Sequence, residues 1–328
     1  MIREGIRRMV NQAALAKLRP LMRRVYWVVT PAVHGRSRPK HVSDLSVAVP
    51  FSFETELLGV KPSICVVCHL FYDDLAGEMR EVLRNIPFEF DLYVSTSDEQ
   101  KRQRILAAFA TLGKGKVDVR IAPNRGRDIA PKLVTFADVY DKYEYVLFVH
   151  GKKSAKSSVG QRWRDTLIDG LLGSPATVRS IITMFERHRL LGIVMTQHFE
   201  PIRAHLHWDH VFSRSRKLAR RMGFAVTSRQ VLDFPSGSMF WARTAALAPL
   251  LALNLGYDDF PEEKGQTRRT IQHAIERLFL FTAEHAGFSW VKVASRDHYS
   301  DRRAIETMDS PEALDRFVEA NKFSLINS

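Results

Sequence analysis

From residue 63 onward, short β-rich runs alternate with longer runs of helical periodicity, and this alternation is the feature that most constrains the fold. A repeated strand–helix–strand order predicts an α/β protein with a mostly parallel sheet and helices on both faces. The predicted strands are Ile64–Leu70, Phe90–Ser95, Val117–Ala122, Tyr145–His150, Leu191–Thr196, Gly237–Trp241 and Ser289–Ala294. The predicted helices are Asp74–Asn85, Asp98–Leu112, Ile129–Tyr140, 161–172, 176–188, 209–222, 244–254 and 267–286.

Ligands of such sheets bind beyond the carboxyl ends of the strands. We therefore expect the chemistry in the loops that follow the first, third, fourth and sixth predicted strands, the last of which ends at Trp241.

The composition is that of a globular protein with a sizeable core, because 45% of the 328 residues are hydrophobic. Two cysteines are too few for a disulfide scaffold. No apolar run approaches the roughly 18 to 20 residues of a membrane-spanning helix. Arginine and lysine recur through the first 24 residues, which is unlike the order of a signal peptide. These features predict a cytoplasmic protein.

The net charge of +13 is concentrated at the N-terminus. Residues 1–40 carry ten basic side chains and one acidic one, whereas the other 288 residues carry 39 basic and 35 acidic ones. Apolar residues in this leader recur at helical spacing, with an interruption at Pro20, and predict a basic amphipathic helix. Contact of residues 1–30 with an anionic membrane surface is one interpretation. Packing on the protein's own domain, or an RNA- or protein-binding arm, are the alternatives.

Four segments follow from these observations. Residues 1–40 form the leader, 41–62 a proline-containing linker, 63–300 the α/β domain, and 301–328 a C-terminal tail or helix. The small net charge of the body, and the lack of a recognisable RNA-binding motif, predict no nucleic-acid partner.

Three motifs resemble known binding sites but do not meet the requirements of those sites. Cys65–His69 matches a haem attachment pattern but lies within an apolar strand, so two buried cysteines are favoured. Gly151–Ser154 resembles the end of a phosphate loop, yet Val146 occupies the position of the required upstream glycine. A cluster of three histidines and an aspartate is interpreted as a histidine-rich loop rim rather than a metal site. Its members are His205, His207, Asp209 and His210.

The loop between the third strand and the next helix is rich in groups that bind anions. Arginine donors beside a glycine, at the start of a helix, favour a phosphate, with Asp128 as the N-cap. A solvated loop in which Asp128 only caps its helix is the alternative. The candidate residues are Asn124, Arg125, Gly126, Arg127 and Asp128.

The fourth strand ends abruptly in polar residues at the same edge. His150, Lys152 and Lys153 follow an unbroken apolar run, next to the arginine loop. We expect the two lysines to contact phosphate, with simple solvation as the alternative.

Two later segments complete the candidate set. Small residues before an aromatic pair allow close approach of a flat or sugar-like ligand, at Ser236, Gly237, Ser238 and Trp241, and core packing of the neighbouring Met239 and Phe240 is compatible with this. His273, Glu276 and Arg277 share one helix face, which could supply a general base or an ordinary ion pair.

Together, the motifs NRGRDIAP, HGKKS, FPSGSMFWAR and HAIERLF resemble the rhamnan synthesis protein F family over roughly residues 63–294. The segment His69–Leu75 also fits this family. The resemblance implies a glycosyltransferase-like protein with a Rossmann-like GT-A fold. GT-A enzymes hold a divalent cation with an Asp-x-Asp motif, but here the strand ends in His150-Gly151-Lys152. We therefore predict no cofactor, with Mg²⁺ or Mn²⁺ as the alternative.

The resemblance implies transfer of a sugar, rhamnose or another hexose, from a nucleotide-sugar donor to a lipid-linked bacterial surface polysaccharide. It places the protein at the inner face of the membrane. His69 joins the arginine loop, His150 and the lysines as donor-binding residues, and the base is Glu263, His273 or Glu276 by analogy. A non-catalytic module that binds nucleotide sugar or polysaccharide is the competing hypothesis, and a leader-recruited RNA-binding protein is a more distant one.

Overall fold

The structure is a computed structural model that describes residues 44–55, 61–151, 158–264 and 269–328, except for the side chain of Asp209. The leader helix predicted within residues 1–40 lies outside these ranges, as do Lys152 and Lys153.

The described residues form one nine-stranded sheet with the strand order β4-β3-β2-β5-β7-β6-β8-β1-β9. All neighbouring strands are parallel except β7, which is antiparallel to both β5 and β6. The predicted α/β fold with a mostly parallel sheet is therefore confirmed. The strands are β1 (Ser46–Val49), β2 (Ile64–His69), β3 (Asp91–Thr96), β4 (Val117–Ile121), β5 (Tyr145–His150), β6 (Leu191–Thr196), β7 (Phe240–Arg243), β8 (Ser289–Ser295) and β9 (Ile305–Glu306).

The α-helices begin at side-chain caps in several places, for example at Asp98, Ser174 and Ser310, each of which accepts a hydrogen bond from the third residue after it. In chain order the helices are α1 (Ala76–Leu83), α2 (Glu99–Phe109), α3 (Ser158–Leu172), α4 (Pro175–Arg187), α5 (Phe212–Arg221), α6 (Ala248–Leu251), α7 (Ile271–Glu276), α8 (Phe279–His285) and α9 (Pro311–Ala320). A π-helix spans Pro131–Thr135, and the 3₁₀ helices are Asp73–Leu75, Tyr140–Lys142, Glu200–His205, Asp209–Val211, Thr244–Leu247, Tyr257–Asp259 and Arg302–Ala304.

Helices cover both faces of the sheet, because successive residues of a strand point to opposite sides. In β2, Val66 packs in one core cluster and Val67 in the other. The first cluster takes apolar side chains from α1, α2, α3, α4 and α9, and the second takes them from the π-helix, α5, α7 and α8. Cys65 and Cys68 lie on opposite faces of the sheet, and both are buried and free. This agrees with the prediction of two buried cysteines rather than a haem attachment site.

Strand β7 departs from the prediction in position and direction. It occupies Phe240–Arg243 rather than Gly237–Trp241, and it runs against its neighbours. Its amino end, not its carboxyl end, therefore lies beside the carboxyl ends of the parallel strands. Sequence periodicity carries no strand direction, so the loop after Trp241 was wrongly placed at that edge.

The helix predicted for Ile129–Tyr140 is interrupted. Its regular part is the π-helix Pro131–Thr135, followed by turns that end in the 3₁₀ helix Tyr140–Lys142. The segment 267–286, predicted as one helix, contains both α7 and α8.

The sheet extends beyond residues 63–300. Strand β1 lies within the segment predicted as a linker, and all four of its residues are buried between β8 and β9. Helix α9 packs Leu314 and Phe317 into the first core cluster. A four-residue strand beside a proline is too short to give a clear periodic signal, which explains why it was missed. No helix in the described ranges is both long and apolar enough to cross a membrane.

Candidate active site

Three parallel strands end in one polar row at the carboxyl edge of the sheet. Ser95 of β3 pairs in register with His69 of β2, and His69 pairs in register with His150 of β5. His69 Nδ1 lies 2.8 Å from Ser95 Oγ. His150 Nε2 lies 2.8 Å from the Gly237 carbonyl oxygen, which can only accept, so His150 donates from Nε2. Two histidine side chains therefore stand side by side where β7 enters the sheet.

A cleft of about 630 Å³ opens above this row, and we call it the first compartment. It brings together ten of the sequence-predicted site residues. These are His69, Asn124, Arg127, Asp128, His150, Gly237, Ser238, Glu263, His273 and Glu276. The other lining residues are Phe71, Tyr72, Ile129, Gly151, Trp163 and Gln272.

The arginine loop enters the first compartment through a tight turn. Gly126 has φ 65°, and a Cβ atom there would lie 2.5 Å from Phe260 Cδ1, so glycine is required. Arg127 follows with φ 55°, a conformation that costs a side chain of its type about 1–2 kcal/mol. Its exposed side chain lines the compartment, with Nε 3.3 Å from Glu263 Oε2.

Arg125 does not line the first compartment, in contrast to its predicted role in phosphate binding. Its guanidinium lies 3.4 Å from Asp258 Oδ1 and 3.5 Å from Glu262 Oε1. Nearby, the Glu263 N–H donates to the Asn124 carbonyl oxygen at 3.1 Å. Arg125 therefore fastens the arginine loop to the segment that carries Glu263, and Gly126 acts through the turn rather than at the compartment wall.

Asp128 is not the N-cap that was predicted, because its side chain bonds to other side chains. Its Oδ2 lies 2.6 Å from Lys132 Nζ, and it also accepts from the Ser238 hydroxyl. Lys132 is 1% exposed and donates to the Ser238 carbonyl oxygen at 2.6 Å. Burial would raise the pKa of Asp128, but the charges of Lys132 and His150 outweigh it and hold that pKa below its usual value. Asp128 is thus ionised and ties the arginine loop to the start of β7.

Lys132 was missed in the sequence because it follows a proline within an apolar stretch. Its i,i+4 spacing from Asp128 was the available signal.

His69 is neutral at physiological pH. Burial lowers its pKa to about 4, and the charges of His150 and Lys132 add to this against the opposing charge of Asp128. The imidazole can therefore donate or accept a hydrogen bond with a ligand but carries no positive charge.

A second compartment of about 290 Å³ adjoins the first. Both compartments are lined by Trp163, Gly237, His273 and Glu276. The second also contains Ser236 and is otherwise lined by Ile202, His205, Leu206, His207, Val211, Phe234, Arg269 and Arg277. Two residues of the predicted histidine-rich rim, His205 and His207, therefore line this space.

Glu276 and His273 stand at the junction of the two compartments. Glu276 Oε1 accepts from the Gly237 N–H at 3.1 Å, and Oε2 lies 3.5 Å from Arg277 Nη1. His273 Nδ1 lies 2.5 Å from Thr270 Oγ1. Both side chains are held by neighbours, and both can be reached from either compartment.

A buried polar network supports Ser236 from behind. His198 Nδ1 lies 3.1 Å from Ser236 Oγ, and His198 Nε2 lies 2.8 Å from Asp233 Oδ1. Lys292 Nζ lies 2.6 Å from both Asp233 and Asp44. Burial lowers the pKa of His198, with a further lowering by the charge of Lys292. This network was not predictable from the sequence, because its members come from widely separated segments.

Trp241 lies in the core, away from the predicted sugar pocket. It is fully buried, and its Nε1 donates to the Leu171 carbonyl oxygen at 3.2 Å. The alternation that predicted β7 could not say which of its aromatic residues, if any, faced the ligand.

The family profile of rhamnan synthesis protein F matches residues 43–288, three quarters of the chain, and so includes β1 and every described residue of both compartments. The chain belongs to the rhamnan synthesis protein F family. It is also 33% identical over 228 residues to the uncharacterized protein WxcX of Xanthomonas campestris pv. campestris, in strain B100 and in strain ATCC 33913. That match covers 69% of this chain but 32% of WxcX, so the chain spans about a third of the length of these relatives.

Two solved structures are similar in fold to parts of this chain. A cytidylyltransferase from Leptospira borgpetersenii serovar Hardjo-bovis is 11% identical, with a TM-score of 0.37, over 82% of this chain and 92% of that one. Glucosyl-3-phosphoglycerate synthase from Mycobacterium tuberculosis, in complex with Mn²⁺, UDP and glucosyl-3-phosphoglycerate, is 15% identical, with a TM-score of 0.31, over 79% and 78% of the two chains. At these TM-scores the likeness does not extend to individual site residues.

The acidic residues of the first compartment do not fit a divalent cation. Asp128 is paired with Lys132, Glu263 with Arg127, and Glu276 with the Gly237 amide. Among the side chains that the structure describes, no three histidine, cysteine or acidic residues lie close enough together to hold a metal ion. In this member of the rhamnan synthesis protein F family, these three carboxylates therefore bond to groups of the protein itself.

Proposed function

We propose that this protein is a glycosyltransferase that moves a sugar from a nucleotide-sugar donor onto a growing glycan. Membership of the rhamnan synthesis protein F family supports a role in polysaccharide synthesis. The observation that carries the proposal is that segments distant in sequence meet around two joined compartments, with a carboxylate at their junction. A transferase needs this arrangement, because donor and acceptor must meet at one reacting atom.

The first compartment is proposed to hold the donor. Cleavage of the bond between sugar and diphosphate leaves negative charge on the terminal phosphate, and a positive group fixed in place stabilises it. Arg127 lines this compartment, and Lys152 and Lys153 directly follow Gly151, which also lines it. The neutral His69 supplies hydrogen bonds rather than charge, and His150 lies beside it in the same row. Transfer by these groups needs no metal ion.

The second compartment is proposed to hold the acceptor, with Glu276 as the base that takes its proton. Glu276 lines both compartments and is fixed by the Gly237 amide, whereas Glu263 lines the first compartment alone. His273 also lines both compartments and is the competing base.

The proposal also covers the sugar, the acceptor and the contact with the membrane. Rhamnose is the first choice of sugar on the family's name, with another hexose as the alternative. The acceptor is a lipid-linked bacterial surface glycan, and the basic residues 1–30 are proposed to hold the protein on the inner face of the membrane.

The test is a panel of nucleotide sugars, including dTDP-rhamnose and UDP-glucose, incubated with the full chain. We expect thermal stabilisation by one donor class and slow release of its nucleoside diphosphate, unchanged by EDTA. Glu276→Gln should retain the stabilisation but lower release by about 100-fold, the usual contribution of a general base. Glu263→Gln is the matched carboxylate control and His273→Asn tests the competing base.

The outcomes separate the hypotheses. Stabilisation without release, by the wild type and all three variants alike, would favour a non-catalytic nucleotide-sugar-binding module. Complete loss of release in EDTA, with recovery in Mn²⁺, would contradict metal-independent transfer. No response to any nucleotide sugar would contradict the proposal as a whole.

A further inference from the structure

Helix α5 carries a concentrated positive charge on the surface of the folded body. Its ten residues include five basic side chains and no acidic one. All five basic side chains are exposed, while Ser215, Leu218 and Ala219 are buried against the body. We call the exposed side of the helix the basic face. Its residues are Arg214, Arg216, Lys217, Arg220 and Arg221.

The basic face is not neutralised by its surroundings. Elsewhere many surface arginines lie beside carboxylates, as in the pairs Arg84–Glu81 and Arg187–Asp315. Within the described side chains, no ion pair joins a residue of the basic face to a carboxylate; Arg214 and Arg221 donate to the backbone carbonyl oxygens of Arg269 and Leu253. Like charges spaced three or four residues apart repel one another, so this helix is less stable than its propensities alone would make it.

The basic face lies next to the second compartment. Val211, which lines that compartment, immediately precedes α5, and Arg214 Nη1 lies 2.6 Å from the carbonyl oxygen of Arg269, another lining residue. Helix α5 also packs on α7, which carries His273 and Glu276. A large anionic surface held by the basic face would therefore lie at the proposed acceptor entrance.

We propose that the basic face docks the protein on an anionic lipid bilayer, and so delivers a lipid-linked acceptor to the second compartment. The delivery rests on the proposed function, whereas the docking does not. Charge alone suffices for lipid headgroups, each basic residue near the surface contributing about 1 kcal/mol. Single-stranded nucleic acid is a poorer match, because such sites also use exposed aromatic side chains for stacking, and the aromatic residue of α5, Phe212, is partly buried against the core.

The experiment measures binding of the full chain to phosphatidylcholine vesicles with and without phosphatidylglycerol. The test variant is Arg216→Glu/Lys217→Glu/Arg220→Glu, which changes only exposed positions. The control variant Arg179→Glu/Arg303→Glu/Arg316→Glu makes the same charge change at exposed positions away from α5. We expect phosphatidylglycerol-dependent binding that falls at least tenfold in the test variant, since about 1 kcal/mol is lost at each position. The control variant should stay within about threefold of the wild type, since its positions do not face the bilayer.

Equal binding by the two variants would overturn the proposal, because docking would then rest on the leader or on net charge alone. Binding to a single-stranded RNA oligonucleotide, with none to the vesicles, would overturn it as well. Thermal stabilisation by the donor found in the nucleotide-sugar panel is measured on the same variants. If the test variant is still stabilised by the donor but no longer binds vesicles, the docking proposal is supported. If the wild type binds vesicles but no nucleotide sugar, the proposed transferase activity is contradicted and the docking proposal is not.

Discussion

At the scale of single residues, Arg127 combines backbone strain with a position on the wall of the first compartment. Its φ of 55° is one that glycine adopts without strain. A strained backbone at a compartment wall supports the hypothesis that the Arg127 side chain contacts a ligand. The backbone conformation of Arg127 thus lowers the stability of the fold, whereas its side chain is proposed to bind the diphosphate.

Replacement of Arg127 by glycine allows the effect on stability and the effect on affinity to be measured separately. Arg127→Gly should leave the free energy of unfolding unchanged or raise it by up to about 1 kcal/mol, because relief of strain offsets the greater freedom of the unfolded chain. Affinity for the nucleoside diphosphate should fall about tenfold or more, since a charge-assisted hydrogen bond is lost. Urea denaturation and calorimetric titration measure the two quantities.

Asn254→Gly is the matched control, because Asn254 also has a positive φ and is exposed outside both compartments. It should change neither affinity nor nucleoside diphosphate release. Wild-type affinity in Arg127→Gly would remove Arg127 from the proposed donor site.

At the scale of elements, the reversed strand β7 shapes the site. Because β7 runs against β5 and β6, the turn that precedes it reaches the edge at which the parallel strands end. Gly237 in that turn contacts His150 through its carbonyl oxygen and Glu276 through its N–H. A parallel strand at this place would present its carboxyl end instead, and Gly237 would lie at the opposite edge.

Gly237→Ala tests how tightly that turn is packed. An added Cβ atom would lie 2.8 Å from Leu167 Cδ1 and 3.2 Å from Trp163 Cζ2, in a backbone with φ 84°. We expect a loss of about 2–3 kcal/mol in the free energy of unfolding, from strain together with overpacking. Gly113→Ala has a similar φ of 68° with open space around it, and should cost about 1 kcal/mol. Equal losses in urea denaturation would show that the turn yields easily and does not fix Glu276.

Much of this architecture was predictable from periodicity, because the seven predicted strands all occur in the sheet. Residues that follow buried strands, such as His69 and His150, were found for the same reason: the ends of parallel strands meet at one edge. The direction of β7 was not predictable, and neither was the burial of Trp241 in the core. The pairing of Arg125 with Asp258 and Glu262 was equally hidden, since it depends on contacts across more than 130 residues.

At the scale of the whole molecule, the two compartments rest on charge pairs buried in the body. Lys132 ties Asp128 to β7, and Lys292 joins Asp44 near the start of the described chain to Asp233 before β7. Removing one partner of such a pair leaves a buried charge unpaired, which costs about 3–5 kcal/mol. The segments around the compartments are therefore held in place before any ligand arrives, as the proposed electrostatic stabilisation of a departing diphosphate requires.

Amide hydrogen exchange with and without the donor found in the nucleotide-sugar panel tests the central claim most directly. If the first compartment holds the donor, exchange should slow at residues 124–130, 150–151, 236–238 and 271–276, which are far apart in sequence and come together around this compartment. Helix α9, which packs in the core cluster on the other face of the sheet from α7, should exchange at an unchanged rate. Protection confined to α9 or to another edge of the sheet, with none in these four segments, would contradict the account.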